Sequence, residues 1–329
     1  MTVTTLPRLG FLGVGWIGRH RMEALARDGL AQVTAVADPQ REALKAAAEV
    51  APEAALANSL DGLLEHDLDG VVIATPSALH ADQAVAALER DLAVFCQKPL
   101  ARDAAETGRV LRAAREADRL LSVDLSYRHV EALRAARTIV DQGEIGLIHS
   151  VDLVFHNAYG PDKPWFTKPE LSGGGCLIDL GTHLVDLALW LTDATDYEVE
   201  TARTLALQGH EVEDHASAEL TLGDDEIRVR LACSWFQSAG GECAFGCTAW
   251  GTDGAVSVRN VGGSFYDFRT ELWQGTSIEP LIEPPDSWGG RAIGAWAQQL
   301  TEDGGYDPGA DELELLAAVL DGVYAKAGR

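Results

Sequence analysis

The chain has 329 residues, of which 47% are hydrophobic and 23% are charged, as is typical of a globular protein with one large or two ordinary domains. Its formal net charge of −25 argues against nucleic acid and anionic membranes as partners, because both would repel it. The N-terminus lacks a signal-peptide pattern and no uninterrupted apolar run approaches the length of a membrane span, so we expect a cytoplasmic protein.

The first predicted strand and helix flank a GxGxxG motif formed by Gly13, Gly15 and Gly18. In this setting the first glycine permits a tight turn, the second lets a pyrophosphate approach the backbone, and the third brings the helix against the sheet. The helix N-terminus, at Trp16 and Ile17, attracts the phosphates. The motif therefore predicts a dinucleotide cradle, with a glycine turn that binds no nucleotide as the alternative.

A β-rich run ends in Asp38, twenty residues beyond Gly18. A carboxylate at this place accepts hydrogen bonds from the adenosine ribose hydroxyls and repels a 2′-phosphate. We therefore expect NAD rather than NADP as the cofactor, a preference that Arg41 nearby would soften.

Strands and helices continue to alternate, which predicts a parallel, doubly wound sheet with ligands at the carboxyl ends of its strands. A buried strand at 71–74 is followed by Thr75 as N-cap, by Pro76 as first helical residue, and by His80 in the first turn. The next strand, 93–96, leads into Gln97, Lys98 and Pro99. Only five of the 26 basic residues are lysines, so a lysine at a strand end favours a functional role.

From about residue 123 the pattern changes to β-rich runs without a helix between each pair, which predicts an α+β domain with a mainly antiparallel sheet. We expect domains at 1–122 and 123–329. Tyr127 and Arg128 follow the last strand of the first domain, and Trp165 lies in a proline-rich loop of the second.

The segment "GGGCLIDLGTHLVDLALW", 173–190, predicts a buried helix that carries Asp179, His183 and Asp186 on one side. Gly181 weakens such a helix by roughly 1 kcal/mol relative to alanine. An ordinary helical pair and a metal site are alternatives, but the metal site lacks a third strong ligand. The five cysteines fit neither a disulfide framework nor a zinc site, so we expect reduced thiols and no metal.

Taken together, the glycine motif, "ATPxxxH" at 74–80, the lysine-proline pair and "GGGxLxDxGxHxxDxxxWL" resemble the glucose-fructose oxidoreductase / inositol dehydrogenase / rhizopine catabolism (Gfo/Idh/MocA) family. The resemblance covers nearly the whole chain, including "EDHASAEL" at 213–220. It implies an N-terminal Rossmann domain that binds NAD(P). It also implies a C-terminal domain with an open sheet that binds substrate and often forms dimers or tetramers.

The resemblance also implies the site. Lys98, Asp179 and His183 would be catalytic, with His183 as general base, Lys98 stabilising the substrate oxygen and Asp179 orienting substrate or imidazole. Gly181 would let the ligand approach, and Asp186 would support the site. The cofactor-binding residues would be Gly13, Gly15, Trp16, Ile17, Gly18, Asp38, Arg41, Thr75, Pro76, His80, Gln97 and Lys98. The substrate-binding residues would be Lys98, Tyr127, Arg128, Trp165, Asp179 and His183.

Position 97 departs from the family, which usually has glutamate where this chain has Gln97; Ser77 and Ser126 also depart, each at a place where the family often has asparagine. Loss of that carboxylate removes a favourable neighbour of the Lys98 ammonium, so we expect this lysine to lose its proton more readily. Gln97→Glu should then shift the pH–rate profile.

The reaction expected from the resemblance is hydride transfer between nicotinamide and a secondary alcohol of a sugar, glycoside or cyclic polyol. The preference for NAD favours oxidation of the alcohol. Two alternatives are a nucleotide-sensing regulator without turnover and a glycosidase-type enzyme that retains its NAD.

Overall fold

A computed structural model describes residues 6–328, which form two compact units. The first unit comprises the described chain up to Ser126 together with Gly289–Glu314, and the second comprises Tyr127–Trp288 and the chain from Leu315 onward.

The first unit contains a six-stranded sheet in the order β3-β2-β1-β4-β5-β6, in which every pairing is parallel. Its strands are β1 Arg8–Leu12, β2 Gln32–Ala37, β3 Ala55–Ala57, β4 Gly70–Ile73, β5 Ala93–Cys96 and β6 Leu121–Val123. The helices between them are α1 Trp16–Asp28, α2 Arg41–Val50, α3 Leu60–Leu63, α4 His80–Leu88 and α5 Ala104–Ala117. This is the Rossmann strand order, so the doubly wound parallel sheet that the sequence predicts is confirmed.

The central strands are apolar throughout because helices cover both faces of a parallel sheet. Every residue of β4 and β5 is buried. Part of the cover comes from a late helix, α9 Arg291–Glu302, whose Trp296 is 2% exposed and packs against Phe95 at 5.6 Å between ring centroids. Residues 289–314 therefore complete the core of the first unit although they follow the second in sequence.

The second unit contains an eight-stranded sheet in the order β14-β13-β12-β11-β7-β10-β9-β8. The strands are β7 Ile148–Asn157, β8 Tyr197–Leu205, β9 His215–Leu222, β10 Ile227–Ser234, β11 Cys243–Gly251, β12 Ala255–Asn260, β13 Phe268–Gln274 and β14 Ser277–Ile282. Only β7 and β10 pair in parallel, and the other neighbours are antiparallel. The mainly antiparallel second sheet that the sequence predicts is therefore confirmed.

Helices α6 Glu131–Asp141 and α8 Thr182–Thr192 pack on this sheet, with the short helix α7 Pro169–Ser172 before α8. A last helix, α10 Glu312–Lys326, begins in the first unit and continues in the second. The helical stretch Pro169–Thr192 has the length and apolarity of a membrane span, contrary to the expectation from the lack of long uninterrupted apolar runs. Because 89% of its most apolar 18-residue stretch is buried inside the protein, we interpret it as a core helix.

Candidate active site

The glycine loop connects β1 to α1 at the carboxyl edge of the parallel sheet. Gly13 has a φ of +82°, and a Cβ added there would lie 2.6 Å from the Ala74 carbonyl oxygen. A Cβ on Gly18 would overlap the Gly13 carbonyl oxygen, whereas a Cβ on Gly15 would meet no atom within 4 Å. The loop thus leaves open space above Gly15 at the start of α1, which begins at Trp16. This arrangement fits the pyrophosphate of a dinucleotide.

Asp38 stands at the end of β2 beside this loop and is 8% exposed. Its Oδ2 accepts a hydrogen bond from the Val14 amide at 3.0 Å, and its Oδ1 accepts one from the Gln40 amide at 2.8 Å. Each carboxylate oxygen can accept a further hydrogen bond, as a ribose hydroxyl requires. Arg41 begins α2 and is exposed, and Ile17 is half-buried in the first turn of α1.

The segment after β4 differs in detail from the prediction. Pro76 precedes a 3₁₀ turn, Ser77–Leu79, and α4 begins only at His80. The Thr75 hydroxyl donates to Gln83 Oε1 at 2.6 Å instead of capping the helix, so its prediction as N-cap is wrong.

His80 lies inside the first unit, 1% exposed, between two loops of the sheet edge. Its Nε2 is 2.7 Å from the Thr75 carbonyl oxygen, and its Nδ1 is 2.7 Å from the Pro99 carbonyl oxygen. The imidazole therefore ties the loop after β4 to the loop after β5, next to Lys98. This placement favours a role in holding these two loops of the cofactor site in position.

Burial lowers the pKa of His80 below its ordinary value, although the two carbonyl contacts oppose the shift. The unfolded chain takes up this proton near pH 6.5, and the folded unit does so only at lower pH, so the stability that this group contributes is complete above pH 6.5 and falls on acidification. We expect the drop in unfolding free energy between pH 8 and pH 5, measured by urea unfolding, to be smaller in His80→Gln. The exposed His149→Gln should match the wild type, and an undiminished drop in His80→Gln would contradict this assignment.

Lys98 is the second residue after β5 and is half-buried, and its peptide bond to Pro99 is cis. The preceding Gln97 is 8% exposed, and its side-chain amide donates to Oδ2 of Asp124, a residue that is 1% exposed. Arg21 Nε donates to the same oxygen at 2.6 Å. A buried carboxylate is therefore present one strand away from position 97, held by a buried guanidinium.

This network revises the interpretation of Gln97. The side-chain amide of Gln97 donates a hydrogen bond to Asp124. Position 97 therefore supplies a neutral donor to a carboxylate that is already present nearby. The sequence does not indicate that Arg21 and Asp124 belong to the site, since the two lie 103 residues apart.

In the second unit, Asp179 and His183 sit on two different kinds of helical turn. Leu177–Gly181 forms a π-helical turn that bears Asp179, and His183 is in the first turn of α8. The single regular helix predicted here is therefore wrong in its first turns. A Cβ on Gly181 would lie 2.7 Å from the side chain of the buried Leu177, so this glycine faces the protein interior and does not support the predicted role in ligand approach.

Aromatic side chains contact both groups. Trp235, 3% exposed, donates from Nε1 to Asp179 Oδ2 at 3.0 Å. The ring of His183, which is 5% exposed, lies 4.6 Å from that of Tyr127 and 6.4 Å from that of Phe155.

Tyr127 and Arg128 lie near these two groups. Tyr127 is buried, and Arg128 is held by an ion pair within the second unit. Burial raises the pKa of Tyr127 well above its ordinary value, which keeps the phenol neutral. Arg128 donates to Oδ1 of the fully buried Asp186 from Nε at 2.9 Å and from Nη2 at 2.7 Å. Asp186 thus supports Arg128 from within the core.

Trp165 lies in a 3₁₀ turn, Pro164–Thr167, and stacks on Phe166 at 3.8 Å between centroids. Phe166 in turn meets the ring of Trp235 edge-on at 6.4 Å. The chain of rings ends on the tryptophan that binds Asp179, so the turn carrying Trp165 is linked to the Asp179 carboxylate.

Within residues 6–328, no group of three His, Cys, Asp or Glu side chains is arranged to hold a metal ion. All five cysteines are buried and free, and the closest sulfurs, those of Cys176 and Cys233, are 4.0 Å apart.

Comparison with known families assigns both units. A model described as an oxidoreductase family with an NAD-binding Rossmann fold matches residues 7–125, and the model of the GFO/IDH/MocA C-terminal domain matches residues 133–257. The chain belongs to the Gfo/Idh/MocA oxidoreductase family. The resemblance drawn from its motifs is therefore confirmed, as is the expectation of an oxidoreductase with an NAD(P)-binding domain.

Two named relatives and one solved structure are similar to this chain. The putative UDP-kanosamine synthase oxidoreductase subunit of Amycolatopsis mediterranei is 32% identical over 252 residues, which are 69% of this chain and 68% of the relative. D-xylose 1-dehydrogenase [NADP(+)] of Haloarcula marismortui is 28% identical over 301 residues, covering 87% of this chain and 81% of the relative. The crystal structure of GenD2 from gentamicin A biosynthesis, in complex with NAD, has a TM-score of 0.84 at 24% identity and covers 99% of this chain and 95% of its own. That last likeness establishes the fold.

Proposed function

We propose that this protein is an NAD-dependent dehydrogenase that oxidises a secondary alcohol of a sugar, glycoside or cyclic polyol to the ketone. The observation that supports the proposal is the arrangement in the second unit, where Asp179 accepts a hydrogen bond from a buried tryptophan and His183 packs against a buried tyrosine. A non-catalytic NAD-sensing protein has no need to hold a carboxylate and an imidazole in this way.

When bound, nicotinamide accepts the hydride from the alcohol carbon. His183 takes the proton of the substrate hydroxyl, because an imidazole can act as a general base. Lys98 donates a hydrogen bond to the substrate oxygen and stabilises negative charge that develops there. Asp179, fixed by Trp235, orients the substrate or the imidazole.

The remaining predicted contacts divide into direct and supporting ones. We assign Trp165 as the flat wall for a sugar ring, since its turn packs toward the aromatic residues beside Asp179. Arg128 presents a guanidinium oriented by Asp186, and Tyr127 supplies a neutral phenol beside His183. The loops at the cofactor side of the first unit are shaped by Thr75, Pro76, Gln97 and His80.

The cofactor preference is the first test. Asp38→Asn retains an acceptor for the ribose but removes the charge that repels a 2′-phosphate, so the ratio of kcat/KM for NAD over NADP should fall about tenfold or more. The exposed Glu42→Gln, in the first turn of α2, is the matched control and should leave the ratio unchanged. An Asp38→Asn enzyme with wild-type cofactor discrimination would contradict the NAD assignment.

We also propose that the protein is a cytoplasmic homo-oligomer that pairs through the open face of its second sheet. Outward-facing positions on the central strands include the small or polar residues Ser217, Ala232, Gly246 and Thr248, and the helices α6 and α8 cover the opposite face. The free, buried thiols favour a reducing compartment.

The activity itself is tested by offering NAD and NADP with a panel of inositols, free sugars and glycosides, and following reduced nicotinamide. Turnover of one structural class of alcohol would support the proposal. Reversible NAD binding without turnover would favour a sensor. Cofactor that stays bound through gel filtration, with cleavage of glycosides, would favour a glycosidase that retains its NAD.

A further inference from the structure

Glu213, the first residue of the "EDHASAEL" motif, is buried against the start of the segment that carries Asp179 and His183. It is 3% exposed, and its Oε1 accepts hydrogen bonds from the Gly175 amide at 2.8 Å and the Leu177 amide at 3.1 Å. These amides belong to the beginning of a helical segment, where N–H groups lack acceptors within the helix. A carboxylate here also offsets the positive end of the helix dipole.

The main chain of Glu213 makes a third contact with the same turn. Its carbonyl oxygen accepts a hydrogen bond from the Cys176 amide at 2.9 Å. A Cβ on Gly175 would overlap that carbonyl oxygen, so only glycine permits this approach. Three successive residues, 175–177, are thus anchored to Glu213. Tyr324 of α10 donates its hydroxyl to the same Oε1 at 2.7 Å and holds the carboxylate in place.

The next residue, Asp214, is linked to Asp179 through Trp235. Its carboxylate accepts hydrogen bonds from the Leu207 amide at 2.9 Å and the Gln208 amide at 2.6 Å, which fixes the loop before β9. Its carbonyl oxygen accepts a hydrogen bond from the Trp235 amide at 2.8 Å. Trp235 then binds the Asp179 carboxylate through its indole N–H.

We infer that Glu213 is a positioning residue for Asp179 and His183. It sets the start of the π-helical turn through three consecutive amides, while Asp214 secures the tryptophan that orients Asp179. The inference rests on the proposed function, since positioning matters for catalysis only if Asp179 and His183 take part in the reaction.

We call the three hydrogen bonds from the amides of residues 175–177 to Glu213 the clamp. It is tested first without any substrate, by hydrogen–deuterium exchange of peptides that cover residues 173–181. In Glu213→Ala these amides lose a charged acceptor, so their exchange should be at least about tenfold faster than in the wild type. Glu213→Gln retains an acceptor oxygen and should lie between the two. Glu211→Gln changes an exposed glutamate two residues away and should exchange like the wild type. Unchanged exchange in Glu213→Ala would overturn the inference.

The positioning role is tested by kinetics with whichever alcohol the wild type oxidises. Displacement of Asp179 and His183 should lower kcat by about tenfold to a hundredfold in Glu213→Ala, with KM little changed and with partial rescue in Glu213→Gln. Faster exchange combined with a wild-type kcat would overturn the positioning role and leave the proposed function standing. If the wild type turns over no alcohol in the panel, the proposed function fails, and the exchange result alone decides whether the clamp exists.

Discussion

His183→Ala should lower kcat/KM by about 10²–10⁴-fold, the range that a positioned general base contributes. The affinity for NAD should remain close to that of the wild type, because the nucleotide cradle lies in the first unit and His183 lies in the second. Steady-state kinetics and NAD titration by fluorescence measure the two quantities separately. Lys98→Met should cause a comparable loss, since it removes the donor that stabilises charge on the substrate oxygen.

Matched controls exist for both substitutions. His149 and Lys45 are exposed, and His149→Ala and Lys45→Met should retain wild-type kcat/KM. A His183→Ala enzyme as active as its control would show that the proton is taken by another group.

Gln97→Glu should destabilise the protein by about 3 kcal/mol or more at pH 8, because it brings a second carboxylate against the buried Asp124. Asp124→Asn should cost a similar amount, since the buried Arg21 then loses its counter-charge. Combining the two returns a single carboxylate to the site. We expect a coupling free energy of about 1–3 kcal/mol in favour of the double variant, measured by urea unfolding.

The pH dependence of Gln97→Glu gives a second check on this network. Two adjacent carboxylates share a proton, so the folded-state pKa of the pair rises above its value in the unfolded chain. Stability that is present at low pH is then lost as pH rises through the raised folded pKa. The deficit relative to the wild type should therefore grow from pH 5 to pH 8. Additive single effects and a deficit independent of pH would contradict the contact between Gln97 and Asp124.

Features with a local signal were predictable from the sequence. The glycine motif, Asp38 and the lysine at the end of β5 each depend on a short stretch whose strand-turn-helix order is visible in the residues. The two sheets were predictable because alternating apolar positions mark antiparallel strands, whereas unbroken apolar runs separated by helices mark parallel ones.

Features that depend on distant partners were not predictable. Periodicity shows that α9 has an apolar side, but not that Trp296 covers the first sheet rather than the second. The π-helical turn at Asp179 depends on the anchoring of residues 175–177 to Glu213, 36–38 positions away. The contacts from Trp235 to Asp179 and from Arg21 to Asp124 leave no pattern in the chain, because neither spacing is a helical or strand period.

Transfer of a deuterium label shows whether hydride passes between an alcohol carbon and nicotinamide. The alcohol that the wild type oxidises best is prepared with deuterium on the carbinol carbon and incubated with NAD in ordinary water. Deuterium should appear on the reduced nicotinamide, one atom for each ketone formed, and His183→Ala should lower the rate without changing that ratio. Deuterium released to solvent, or product formed without net reduction of NAD, would contradict this hydride transfer.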